Sequence, residues 1–353
     1  MELESILLPN VEPERPLMIA GPCSAETEEQ VMETARGIAA QGIKIFRAGI
    51  WKPRTKPGCF EGVGVAGLSW MKRVKKETGM YVATEIASGR QVDAALGAGI
   101  DVLWIGARTT VNPFAVQEIA NALRGVDIPV LVKNPVNPDL ELWIGAIQRL
   151  HGMGLRRLAA IHRGFSSQGQ KAYRNDPMWH LTVELRHEIP NLPILCDPSH
   201  ISGKRELVLP LAQRAMDLNM DGLMIETHCN PQEAWSDASQ QITPEELDHL
   251  LSLLIIRDAI SPGENLPSLR CKIDHIDEQL LELLAERMRV SCEIGNYKKE
   301  HQMSVVQENR FDEIMEERTK FGNSKSLNTQ FVREILKDIH DESVRLQMGV
   351  VAE

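Results

Sequence analysis

Cys23, His200, Glu226 and Asp237 stand near the ends of widely separated apolar runs. Sulfur, imidazole and two carboxylates form a mixed donor set that suits a divalent metal ion. Six cations hold comparable positions: Arg47, Lys52, Arg54, Arg108, Lys133 and Arg163. So many positive charges converging on one mouth imply a polyanionic ligand, and arginine and lysine in that role suit phosphates and carboxylates. Glu85, His162 and His228 complete the polar set. Each residue alone has a plainer reading. A cysteine after a strand is usually a small buried hydrophobe, and the histidine of Asp-Pro-Ser-His is more often a turn residue than a ligand. Strand-end charges can also pair with one another. Lys133, flanked by Leu131 and Val132, fits a Schiff-base nucleophile as well as an anion binder. Shared location tips the balance, and that depends on the elements beneath these residues.

Scanning residues 1–260 for apolar or β-branched runs bounded by turn residues yields eight strands. They are Pro16–Gly21, Lys44–Ala48, Tyr81–Ile86, Val102–Gly106, Pro129–Lys133, Leu158–His162, Pro193–Asp197 and Gly222–Glu226. Most of the gaps hold one amphipathic helix, such as Glu28–Gln41 or Phe114–Leu123. Eight β-then-α units over about 250 residues fit a (β/α)8 TIM barrel, with a doubly wound sheet as the alternative. Barrel active sites lie at the C-terminal strand ends, where the polar residues cluster. Gly62-Val63-Gly64-Val65-Ala66-Gly67 matches G-x-G-x-x-G, but it follows a Pro- and Gly-bearing loop rather than a strand. A dinucleotide site needs the motif directly between strand and helix. The stretch reads as a flexible loop.

The 353 residues are too many for one ordinary domain, and their composition is uneven. All 19 prolines lie at or before Pro267. Residues 268–353 are about 35% charged, against about 22% for residues 1–267. The chain divides into a barrel at 1–260, a linker at 261–267 and a helical domain at 268–353. In the last part Ile273, Ile276, Leu280, Leu283, Val290 and Ile294 recur at helical spacing. A helix over 268–299 is followed by Glu308–Phe321, ended by Gly322, and by Asn328–Met348. One long helix with two shorter ones cannot bury its apolar stripe alone, which points to pairing with a second copy. Arg287 and Lys298 are 11 residues apart, within about 20° of one helix face and about 16 Å along it. That spacing leaves room for a small dicarboxylate, although lysine and arginine on a charged helix are usually solvated.

The net charge of −10 and the lack of a basic tract argue against nucleic acid or a membrane surface as partner. The longest apolar run, Leu250–Ile256, cannot span a bilayer. An acidic N-terminus is unlike a signal peptide, and six unclustered cysteines fit a reducing compartment. The expectation is a soluble cytoplasmic protein.

Eight stretches, in order, resemble 3-deoxy-D-arabino-heptulosonate 7-phosphate (DAHP) synthase, in particular its compact type Iβ. They are Gly21-Pro22-Cys23-Ser24, Lys52-Pro53-Arg54-Thr55, Gly106-Ala107-Arg108, Val132-Lys133-Asn134, His162-Arg163-Gly164, Asp197-Pro198-Ser199-His200, Ile225-Glu226-Thr227-His228 and Ser236-Asp237. The resemblance implies condensation of phosphoenolpyruvate with erythrose 4-phosphate, the first step of the shikimate pathway to the aromatic amino acids. It implies a divalent metal (Mn2+, Fe2+, Co2+ or Zn2+) on Cys23, His200, Glu226 and Asp237. Arg108 and Arg163 would bind the phosphate of phosphoenolpyruvate, with Arg47, Lys52 and Lys133 at its carboxylate. Arg54 and Thr55 would bind the aldose phosphate, and water would add near Glu85 and Lys133. Only about 16 residues precede the first strand, so the N-terminal regulatory domain of some relatives is expected to be missing.

Residues 269–347 resemble the all-helical (AroQ-type) chorismate mutase, through Leu269-Arg270, Ile273-Asp274, Leu284-Ala285-Glu286-Arg287, Lys298, Arg310 and Ser343…Gln347. The resemblance implies rearrangement of chorismate to prephenate, a reaction needing no nucleophile or general base. Arg270, reaching from a partner subunit, and Arg287 would hold carboxylates, with Lys298 and Gln347 at the ether oxygen and Arg310 in support. The chain departs from the family pattern at Phe311, where a glutamate holds the substrate hydroxyl, and at Gln307, where an aspartate is common. Two readings stand: a bifunctional enzyme whose mutase domain also reports prephenate to the barrel, or a monofunctional synthase with a non-catalytic dimerisation and ligand-sensing tail.

Overall fold

The computed structural model describes residues 1–11, 16–53, 58–167, 172–256, 266–306 and 308–352, with 266–268 and 308–310 described by backbone alone. It forms two compact units, Met1–Ala259 and Ile260–Glu353. The expected linker falls largely outside the described residues. No helix is long and apolar enough to cross a membrane.

In the first unit eight parallel strands close into a barrel in sequence order. They are β1 (Leu17–Gly21), β2 (Ile45–Arg47), β3 (Tyr81–Ile86), β4 (Val102–Ile105), β5 (Val130–Lys133), β6 (Leu158–His162), β7 (Ile194–Cys196) and β8 (Gly222–Glu226). The pairing of β1 with β8, Leu17 opposite Gly222 through Gly21 opposite Glu226, excludes the open doubly wound sheet. Strands expected at Pro16, Pro129 and Pro193 begin one residue later, because proline has no N–H to give the ladder. Helices α1 (Glu28–Ala40), α2 (Ala66–Thr78), α3 (Gly89–Gly97), α4 (Ala107–Thr110), α5 (Pro113–Ala122), α6 (Leu140–Gly152), α7 (Trp179–Glu188), α8 (Pro198–Ser202), α9 (Val208–Asp217) and α10 (Pro244–Leu253) flank the strands. Their starts are chemically marked. Thr27 caps α1, Asn112 with Pro113 caps α5, Asp139 caps α6, and Thr243 with Glu246 forms a capping box on α10.

Strand residues alternate between two cores. Outward-facing side chains such as Phe46, Leu103 and Ile225 pack under the helices. Inward-facing ones fill the barrel: Ile19, Ile45, Ala83, Trp104, Leu131, Ile161, Leu195 and Met224, closed at one end by Ile6 and Leu8. Two residues beyond each of these, on the same inward phase, stand Gly21, Arg47, Glu85, Gly106, Lys133, Arg163, Asp197 and Glu226. The barrel core and the polar mouth are therefore successive layers of one alternating pattern.

The Gly62–Gly67 stretch is a loop only as far as Val65, and its last two residues open α2. Gly62, at φ +96, packs so closely that an added Cβ would lie 2.0 Å from the Ile50 carbonyl oxygen. Gly64 donates its N–H to that same oxygen at 3.1 Å.

The second unit consists of α11 (Leu266–Glu300), α12 (Glu308–Ser324) and α13 (Thr329–Ala352). Gly322 does not end α12 as expected. It lies within the helix, where its missing side chain admits Val332 of α13, whose Cγ2 would be 2.7 Å from an added Cβ. Asn328 begins α13 by accepting the N–H of Phe331 at 3.1 Å. In this unit the apolar side chains of Leu269, Ile273, Ile276, Leu280, Leu283, Val290 and Ile294 are all exposed.

At Gly21, φ is +149 and an added Cβ would meet the Arg47 carbonyl oxygen at 2.0 Å. Gly21→Ala therefore forces β1 off β2 at the C-terminal end of the strands. It should lower barrel stability by about 2–4 kcal/mol, read as an earlier urea midpoint at unchanged slope.

Candidate functional site

The inward alternation, and the turns that follow it, bring Cys23, His200, Glu226 and Asp237 together. One donor atom from each lies within 4.8 Å of the others. Each is held by its surroundings. His200 Nδ1 lies 2.7 Å from Asp197 Oδ2. Donation of that N–H leaves Nε2 as a lone pair, 3.6 Å from Glu226 Oε1. Burial lowers the His200 pKa, and Asp197 and Glu226 only partly oppose this. Glu226 accepts the Gln240 amide at Oε2, 2.6 Å away, while its buried Oε1 has no hydrogen-bond donor among the described residues. Burial acts to raise the Glu226 pKa, but His200 and Arg47 outweigh it and keep the group a carboxylate.

The Cys23 thiol lies 3.1 Å from Asp237 Oδ2 and 3.0 Å from Lys52 Nζ. Burial first, then the Glu226 charge, pushes this thiol up to about 12. Its deprotonation therefore needs a strong local positive charge. Asp237 carries φ +52, unusual outside glycine, and is held well below the carboxylate range: burial opposes ionisation but His200 and Arg174 overcome it. A buried carboxylate oxygen without a hydrogen bond, an imidazole nitrogen, a thiol and a second carboxylate converge. That donor set fits a divalent ion.

The cations surround this group. Arg47 is fully buried and stacks on Trp104 with its guanidinium carbon 4.8 Å from the ring centroid. Nη2 lies 3.4 Å from Glu226 Oε1, while Nε and Nη1 have no hydrogen-bond partner among the described residues. Lys52 Nζ also donates to the Cys23 carbonyl at 2.9 Å. Burial acts to lower the Lys52 pKa, but the Cys23, Glu85 and Glu226 charges raise it overall. Burial of Arg163 lowers its guanidinium to about 10, still charged at pH 7. Arg108, Arg163, Lys133, Lys52, Glu85 and Asp237 line the same mouth. Glu85 accepts the Trp104 indole N–H at 3.3 Å, and Gly106 leaves it room: a Cβ there would fall 2.0 Å from Glu85 Oε1. Lys133 pairs with Asp197 at 2.7 Å. Burial pushes the ammonium down while Asp197 holds it up, and Asp197 itself lies well below the carboxylate range despite its own burial. The short contact favours the charged pair.

Two strand-end histidines face elsewhere. His162 is buried against Phe165 and Trp179 and lowered to about 3 by desolvation. His228 Nε2 lies 3.4 Å from Glu26, on the far side of the strand end. Arg54 and Thr55 lie outside the described residues. Asp197, Trp104, Arg174, Gln240 and Gln241 were missed in the sequence reading. Asp197 had a usable signal, its inward phase two residues after Leu195; the loop residues had none.

In the helical unit, α11 and α13 bring Arg287, Lys298 and Gln347 to one seam. Lys298 Nζ donates to Gln347 Oε1 at 3.0 Å and to the Val305 carbonyl at 2.7 Å. Arg287 donates to Ser343 Oγ, and Gln347 is buried. Phe311 packs on His340 at 4.3 Å between ring centroids. Arg270 is exposed; Gln307 and the Arg310 side chain lie outside what is described.

Comparison with known proteins matches both units. Residues 11–259 match the DAHP synthetase I family, and residues 269–348 match chorismate mutase type II. A phospho-2-dehydro-3-deoxyheptonate aldolase of Thermotoga maritima is 35% identical over 234 residues, covering 66% of this chain and 67% of the relative. A crystal structure of phospho-2-dehydro-3-deoxyheptonate aldolase (DAHP synthase) from that organism superposes with TM-score 0.60 at 31% identity, covering 67% of each chain. A 2-dehydro-3-deoxyphosphooctonate aldolase of Polaromonas naphthalenivorans is 28% identical over 269 residues, covering 69% of this chain and 90% of the relative.

The buried Lys133–Asp197 pair yields a stability test. Lys133→Met leaves Asp197 in the barrel with His200 as its main partner and should cost about 3 kcal/mol at pH 7. Asp197 is depressed in the folded state, so this difference from wild type is full above the unfolded carboxylate pKa of about 4. It should shrink as pH falls through the folded value. Urea melts of both proteins between pH 7 and pH 3 read it.

Proposed function

The chain belongs to the DAHP synthetase I family and carries a chorismate mutase domain, and on that premise we propose one assignment of roles to its residues. The barrel condenses phosphoenolpyruvate with erythrose 4-phosphate, and the helical domain converts chorismate to prephenate. Domain limits of 1–260 and 268–353, joined by a linker at 261–267, agree with this division. The observation that carries the barrel reading is the buried Arg47. Among the described residues its Nε and Nη1 have no hydrogen-bond partner, and its Nη2 lies 3.4 Å from Glu226 Oε1, which has none either, a carboxylate-binding group next to a metal-binding one.

Arg47, Lys52 and Lys133 bind the carboxylate of phosphoenolpyruvate, and Arg108 and Arg163 bind its phosphate. Arg54 and Thr55 bind the aldose phosphate. Cys23, His200, Glu226 and Asp237 hold a divalent ion (Mn2+, Fe2+, Co2+ or Zn2+), which supplies Lewis acidity to the aldehyde carbonyl. C3 of phosphoenolpyruvate then forms the new C–C bond at the aldehyde carbon. Water adds at C2 near Glu85 and Lys133, and inorganic phosphate leaves. Fixing two polyanions in one cationic mouth supplies much of the rate by orientation. Metal removal should abolish condensation, and restoring Mn2+, Fe2+, Co2+ or Zn2+ should return it. A Schiff-base route through Lys133 predicts the opposite: insensitivity to EDTA and borohydride trapping of a carbonyl substrate. A four-carbon aldose phosphate should be preferred over the five-carbon one that an octonate product requires, measured as kcat/KM for each.

In the helical domain Arg287 and Arg270, the latter from a second copy, hold the two carboxylates of chorismate. Lys298 and Gln347 stabilise the ether oxygen, with Arg310 in support, as charge separates in the rearrangement. The exposed apolar face of α11 supports a homodimer through this domain. Fusion of an early and a later step in one chain supports feedback, with prephenate at the mutase site lowering condensation in the barrel. The acidic composition supports a cytoplasmic enzyme without nucleic-acid or membrane partners. Arg287→Ala in the full chain should cut prephenate formation by about 10²–10³-fold and abolish inhibition of condensation by prephenate. Inhibition that survives this change would separate feedback from the mutase site. No prephenate formation above background in the unaltered chain would favour the non-catalytic tail.

A further inference from the structure

The four donor atoms come from separate segments, and two adjacent buried glutamines tie three of these together, those of Cys23, Glu226 and Asp237. Gln240 and Gln241 follow β8 and are fully inaccessible to solvent. Gln240 donates to Glu226 Oε2 at 2.6 Å. Its Oε1 accepts from Arg174 at 2.7 Å, and the same Arg174 nitrogen donates to Asp237 Oδ1 at 2.9 Å. The backbone N–H of Gln240 also reaches the Asp237 carbonyl at 3.2 Å, closing the turn in which Asp237 takes φ +52. Gln241 accepts the Cys23 N–H at 3.0 Å and donates to the Ser236 carbonyl at 2.8 Å.

We propose that Gln240 and Gln241 are positioning residues that set the affinity of the divalent-metal site, a claim that rests on the metal-site reading above. The chemistry requires amides. At position 240 one end must donate to a carboxylate and the other accept from a guanidinium. A carboxylate side chain would repel Glu226, and an apolar one would strand Glu226 Oε2 and Arg174. Fixing Oε2 also fixes which way Oε1 points, toward Cys23, His200 and Asp237. Gln241 does the same for backbone: it ties Cys23 to Ser236, the residue before Asp237. Groups that orient metal ligands in this way typically change metal affinity by about 10- to 100-fold when removed.

The test uses the full chain stripped of metal and titrated with MnCl2, with free Mn2+ read by electron paramagnetic resonance. Gln240→Met and Gln241→Met keep side-chain length and remove both hydrogen bonds. Each should weaken Mn2+ binding about 10- to 100-fold, whereas Gln117→Met, half-buried on α5 and bonded to Asn121 and Arg149 away from the site, should not change it. In a parallel Co2+ titration the near-ultraviolet thiolate-to-cobalt absorption should weaken most in Gln241→Met, because that variant frees the Cys23 backbone. Apo-protein melting separates loss of fold from loss of positioning. Should Gln240→Met not fold, Gln240→Asn keeps an amide one methylene too short to span both partners. A folded variant at either position that binds Mn2+ within twofold of wild type overturns the proposal. A wild-type chain that binds no Mn2+ overturns the metal-site reading instead.

Discussion

Ionised groups sealed inside a barrel must neutralise one another, and this constraint governs the mouth of the first unit. Asp197, Glu226 and Arg47 have no solvent exposure, and Lys133 has almost none. Isolated, each would be driven to its neutral form or would unfold the barrel. Together they form an alternating network: Lys133 pairs with Asp197 and Arg47 with Glu226, with the His200 ring between the two carboxylates. The network also leaves a surplus. Among the described residues two Arg47 nitrogens and Glu226 Oε1 have no hydrogen-bond partner, which is what makes the site receptive to an anion and a cation at once.

A closed parallel barrel is well suited to this arrangement. Each strand carries one inward residue into the polar layer, directly above an inward apolar residue that anchors it. Glycine appears in that layer at Gly21 and Gly106, where a side chain would collide with Arg47 or Glu85. The helical unit solves a smaller problem differently. Its cationic seam is set by helix periodicity, with Arg287 and Lys298 three turns apart and answered by Ser343 and Gln347 one turn apart on α13. The exposed Ile273, Leu280 and Leu283 show that this unit, described as one copy, does not bury its own stripe.

The barrel was legible because the core-forming pattern and the chemistry share one period. Runs such as Val130–Lys133 identify a strand, and the inward residue at or just beyond the end of each run identifies a site position. The metal donors were legible because their types are unusual at strand ends. Strand limits at proline shifted by one residue for want of an N–H, and Gly322 misled because a glycine that admits Val332 looks like one that ends a helix. Asp197 was overlooked since acidic residues beside proline are ordinary turn formers. Arg174, Gln240 and Gln241 were beyond reach, because their partners lie up to 218 residues away in sequence and no local pattern marks a loop residue that touches them.

The central claim is that one divalent ion and the carboxylate of phosphoenolpyruvate meet between Glu226 and Arg47. Anomalous diffraction from a crystal of the full chain grown with Mn2+ and phosphoenolpyruvate tests it most directly. The account predicts one manganese peak in the barrel, among Cys23 Sγ, His200 Nε2, Glu226 Oε1 and Asp237, with the ligand carboxylate on Arg47 Nε and Nη1. A peak elsewhere in the barrel, or a phosphoenolpyruvate carboxylate that leaves Arg47 unpaired, would contradict it.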